Sequence, residues 1–180
     1  MADVLIRELR SIFKSIDDLN RRLTASQMTG RVAAVDGSRV RIELSPAGAN
    51  GQPFLSPWVQ LQEAAGATGT NMPVAVGDPV RLLSPNGEIG SQSLAIRDSH
   101  TDDKSNPAAK PDELAITHGN SALRMTADGL TLSHGGTSLQ LTADTVKALS
   151  AKLLHNDKNV GDDHKHTGVE RGSSQTGNPT

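Results

Sequence analysis

Two eight-residue stretches, SALRMTAD at 121–128 and TSLQLTAD at 137–144, repeat at an offset of sixteen. Leu123, Thr126, Ala127 and Asp128 recur as Leu139, Thr142, Ala143 and Asp144. Around them small apolar residues alternate: Leu123 with Met125, Leu130 with Leu132, Leu139 with Leu141, and Val146 with Ala148. A period of two describes strands with one apolar face, and repeated short strands of this kind must stack or wrap to bury it. Asp128-Gly129 and Gly135-Gly136 mark the turns. Nothing after the repeat offers cover, because neither a second helix nor an aromatic layer follows. The whole chain holds only Phe13, Phe54 and Trp58 as aromatics, with no Tyr. Several copies wound about an axis meet the requirement, each covering its neighbour. A small two-sheet domain is the other fold open to these residues.

The N-terminal stretch has a different period. Leu5, Leu9, Ile12, Ile16, Leu19 and Leu23 are spaced alternately four and three apart, and charged residues fill the other faces. This is a heptad seam on an amphipathic helix, with Leu9, Ile16 and Leu23 at a and Leu5, Ile12 and Leu19 at d. A helix of this length is marginal alone in water, so the stripe must dock. It can do so on copies of itself, on a partner, or on its own domain.

Between these regions lie strand-like runs at 30–35, 39–44, 58–61, 80–83 and 94–96, with a long loop expected at 45–56. Asp36-Gly37 and Asn86-Gly87 suit tight antiparallel turns. Five short strands in about seventy residues is the count of a small Greek-key barrel such as an OB-fold. Residues 100–113, polar and containing Pro107 and Pro111, read as an extended connector. Residues 156–180 are polar and Gly-rich, and by composition alone would be a disordered tail.

Composition removes several function classes. The chain has no Cys, hence no disulfide, thiolate metal site or cysteine nucleophile. A net charge of −2 and three aromatics argue against a general nucleic-acid binder. No apolar run approaches a membrane span of roughly 18 residues, and no signal-peptide pattern opens the chain, so a non-secreted soluble product is expected. Catalytic motifs for nucleophilic, zinc-dependent or nucleotide-dependent chemistry are missing. His100, His118, His134 and His155 fall in a connector, near turns and at a strand end, and read as surface or turn residues.

The tail carries one motif, Asp162-Asp163-His164-Lys165-His166-Thr167. In an extended segment His164 and His166 point the same way, about 6–7 Å apart, with Lys165 facing away. Two imidazoles are too few for a first-row metal, which takes roughly four to six ligands. Three chains meeting on an axis would supply six nitrogens in two rings, an octahedral set with no position left for a substrate. Without such symmetry the motif is a solvated His-Lys-His.

The order of parts resembles the baseplate assembly protein V family, the central spike of contractile tails in P2-like and Mu-like phages. The resemblance is carried by Trp58-Val59-Gln60-Leu61, by 65–69 (AGATG), by 76–88 (VGDPVRLLSPNGE), and by Asn159-Val160-Gly161 followed by His164-Lys165-His166. It implies an all-β homotrimer with an N-terminal helix, an OB-fold collar, an intertwined triple-stranded β-helix, and a pointed apex where His164 and His166 of three chains hold one Fe ion. The corresponding divisions are helix 1–25, OB-fold 26–98, linker 99–112, shaft 113–158 and apex 159–180. The implied function is non-enzymatic: a virion spike, assembled in the host cytoplasm, that caps the tail tube through the baseplate hub and pierces the host outer membrane on sheath contraction. No nucleic acid and no small-molecule substrate are expected. The alternatives are an OB-fold nucleic-acid-binding protein with a disordered tail, a His-dependent metalloenzyme, and the spike of a phage-derived tail-like bacteriocin.

Overall fold

A computed structural model of the chain describes residues 2–46, 51–162, 164, 165, 168 and 172. It is mostly β with one N-terminal helix, and divides into two compact units, 1–105 and 106–180. Among the described residues no helix is long and apolar enough to cross a membrane.

In the first unit, helix α1 (Ala2–Ser26) runs directly into strand β1 (Gln27–Asp36). Next come β2 (Arg39–Ser45), β3 (Phe54–Leu55), β4 (Val59–Leu61), β5 (Pro79–Leu83) and β6 (Leu94–Arg97). The pairings β1–β2, β2–β4, β4–β6, β6–β5 and β5–β1 close a ring of five strands, with β4 and β6 parallel and the rest antiparallel. This is a five-stranded Greek-key barrel, the architecture of an OB-fold. Its strands coincide with the five runs expected from periodicity. The expected loop at 45–56 is corrected by β3, which pairs Glu43 with Leu55 and Ser45 with Phe54. Two residues are too few to show an alternation.

Closure depends on β1 serving two partners. Residues 27–31 pair with β5 and 31–36 with β2, and the register slips between Val32 and Ala34. That bulge bends the strand around the barrel. At Gly30 a side chain would overlap the Glu43 carbonyl, so the strands approach closely only because none is present. Inside sit Val32, Val40, Ile42, Val59, Val80, Leu82 and Ala95, none more than 2% exposed. The core is wholly aliphatic, which is how a chain with three aromatic rings still fills it.

Asn86-Gly87 does not form a two-residue hairpin. It lies in a single helical turn, Pro85–Gly87, that receives the end of α1. Arg22 Nε donates to the Asn86 carbonyl at 2.8 Å, and any Cβ on Gly87 would overlap the Arg22 carbonyl. Residues 99–105 are tied to the barrel by two ion pairs. Arg31 holds Asp103 through both guanidinium nitrogens at 2.8 and 2.9 Å, and Lys104 meets Asp78 at 2.9 Å.

The second unit opens with an antiparallel meander, β7 (Leu114–His118), β8 (Ser121–Thr126), β9 (Gly129–His134), β10 (Thr137–Leu141) and β11 (Val146–Leu149), each paired with the next. The sixteen-residue repeat is one hairpin: two six-residue strands and two two-residue turns. Register aligns Ile116, Leu123, Leu132, Leu139 and Ala148 in one row, and Leu114, Met125, Leu130, Leu141 and Val146 in the next. Both rows lie on one face. The other face carries Arg124, Thr131, Gln140 and Lys147. Among the described residues, none in this unit is fully buried.

Candidate functional site

The path to the His motif starts after β11. Strands β12 (Leu154–His155) and β13 (Lys158–Asn159) form a hairpin joined by Asn156 and Asp157, whose φ values are 47° and 63°. Two left-handed residues in succession make the primed turn that suits strand twist, and Asn and Asp tolerate that conformation better than most side chains. This polar pair lies within the segment that composition assigns to a tail. Its one signal was an Asn-Asp dipeptide between residues able to pair.

From the hairpin the chain is stepped towards the His motif by its own polar groups. Val160 N–H donates to the Leu153 carbonyl at 2.7 Å, and Gly161 N–H donates to Asn159 Oδ1 at 3.1 Å. The Gly161 carbonyl then accepts from the His164 backbone N–H at 3.2 Å and lies 2.6 Å from His164 Nδ1. A carbonyl only accepts, so a hydrogen bond here puts a proton on Nδ1, and in the neutral ring the lone pair is then on Nε2. Ligating histidines are held in this way, with the second N–H on a carbonyl that fixes ring and tautomer. The donor chemistry of His164 therefore fits a first-row metal bound through Nε2. His164 and Lys165 are both exposed. His166, the other expected ligand, lies outside the described residues. Among the described residues of one chain, no group of three His, Asp or Glu converges to hold a metal.

Residues 162–180 match the GpV Apex motif. The match begins at the end of the stepped segment and takes in His164, Lys165 and His166. Over this short motif it supports the resemblance to the baseplate assembly protein V, or central spike, family. No curated protein matches the chain. Asn159-Val160-Gly161 precedes the apex motif and orients its first histidine.

Among the remaining histidines, His118 and His134 share a row, with one pairing that sequence reasoning missed. His134 Nδ1 lies 2.8 Å from Ser121 Oγ, in the row formed by His118, Ser121, His134 and Thr137 on the apolar side of the meander. The only trace in sequence was parity with the leucines two positions away. Elsewhere Glu63 organises the loop that carries 65–69. Its carboxylate accepts from Thr70 Oγ1 at 2.7 Å, from Met72 N–H at 2.9 Å and from Arg97 at 2.9 Å, and these hold it below the usual range, Thr70 foremost. The arrangement shapes a loop.

Proposed function

We propose that this chain is the central spike of a contractile phage-tail baseplate, a homotrimer without catalytic activity that caps the tail tube and pierces the host outer membrane. The observation that carries the proposal is the match of residues 162–180 to the GpV Apex motif. The meander supports it physically. Leu114, Ile116, Leu132 and Leu139 are 38–50% exposed on one face of a single sheet, and three copies facing an axis would bury them together. Winding those sheets into a triple-stranded β-helix makes the shaft stiff, because no strand can leave without breaking contacts to its neighbours. The barrel, with its own core, is suited to a collar.

At the tip, His164 and His166 of three copies would hold one metal ion, taken as iron from the family resemblance. Its chemistry there is structural: it ties three chain ends together where hydrophobic burial is smallest. His164 is pre-oriented by the Gly161 carbonyl, and with 164–166 extended Lys165 would face away. The function is mechanical. Sheath contraction drives the tube, and the spike concentrates the force on a small area of membrane.

Native mass and metal content measured on one sample test this reading. Three copies with one transition-metal ion per assembly are expected. Well-folded single copies at working concentration would overturn it.

A further inference from the structure

Helix α1 presents an uncovered seam. Leu5, Leu9, Ile12, Ile16, Leu19 and Leu23 are 44–73% exposed, so the helix does not bury its stripe on its own domain. Its last turn is nevertheless fixed to the barrel, through Arg22 on the Asn86 carbonyl and the close approach at Gly87. The seam is thus held out from the body at a set angle.

We infer that α1 is a self-association element, in which the helices of three copies pair in parallel along this seam. The inference rests on the trimeric reading above, and adds that the N-terminal end is joined separately from the shaft. Parallel pairing follows from cyclic symmetry, which gives related helices the same polarity along the axis.

Three features favour copies of the same helix over a different partner. A groove that accepts an amphipathic helix reads about four anchors. Here six residues keep the four-three alternation throughout, as mutual knobs-into-holes packing demands. Second, Arg7, Lys14 and Arg21 recur every seven residues on the side opposite the seam, so the cationic line points to solvent when the seam is closed. In parallel register the flanking contacts become Glu8 with Phe13 and Ser15 with Asn20, and no like charges face each other. Third, Ile6 and Phe13 beside the seam are 47% and 63% exposed, which makes the apolar stripe wider than a two-helix contact covers.

The chain has no Cys, so a single thiol can be placed without interference. In the full-length protein, Ile16→Cys places it in the seam and Lys14→Cys on the outer line. Leu9→Cys serves as a second seam position should Ile16→Cys not fold. Treated with a short bis-maleimide, the seam variants are expected to give covalent dimers about tenfold faster or more, because juxtaposed thiols react at the effective concentration of a linked pair. Equal rates for seam and outer positions in a sample of trimeric mass would overturn the helix inference and leave the spike reading standing. A monomeric mass for the unmodified chain would overturn both.

Discussion

The barrel and the meander use the same small aliphatic residues and end in opposite states. In the barrel, Val32, Ile42 and Leu82 are no more than 2% exposed, because five strands closed into a ring turn one face wholly inward. In the meander, Leu132 and Leu139 remain 44% and 38% exposed, because the strands run β7 to β11 without closing. The alternation is equally regular in both. What separates them is whether the chain supplies the strand that completes the ring. A barrel is finished within one copy, whereas the open sheet of one copy keeps one greasy face exposed.

Four measurements would break or sharpen this contrast. Trp58, the single tryptophan, lies in the barrel unit and reports on it alone. Leu82→Ala should lower barrel stability by about 2–5 kcal/mol, the usual cost of a cavity in a core. A self-contained barrel predicts that this loss, read from Trp58 fluorescence in urea, is the same at every protein concentration.

Truncation after Asp112 comes second. It should leave the Trp58 transition in place while weakening self-association, seen as a lower mass in sedimentation. An equally tight trimer without the meander would show that the exposed leucines are not its main contact.

The third effect is smaller and depends on pH. Two-pronged pairing with Arg31, helped by Thr101, lowers the Asp103 carboxyl from 3.8 to about 2. A depressed carboxylate pKa adds stability that is full above the unfolded value and is lost as pH falls through the folded one. The barrel transition should therefore weaken from about pH 4 down to about pH 2, and Asp103→Asn should flatten that part of the profile. Because the pair is exposed, high salt should shrink the effect further.

The smallest change in assembly is expected from replacing both His164 and His166 by Ala. Bound metal should vanish while the trimeric mass stays, since most apolar contact lies in the meander. Unchanged metal content would remove both histidines from the tip.

Much of the fold could be read from residues because its signals are local. Five barrel strands, the helix with its seam, and the repeat all follow from spacing along the chain. The pieces that could not be read depend on contacts between distant residues. β3 exists only because Glu43 and Ser45 offer it a ladder. Asn86-Gly87 becomes a seat for α1 instead of a hairpin because Arg22 reaches it across sixty-four positions. The His-x-His spacing singles out His164, but its contact with the Gly161 carbonyl is one that no spacing rule reveals.

By itself the amino-acid sequence determined the periods, and with them which faces are apolar. Tertiary structure alone decided which of those faces close. Closure depends on strand order and on backbone approach at Gly30 and Gly87, and both are set by pairing in space, whereas periodicity is set by the bond-by-bond geometry of the chain.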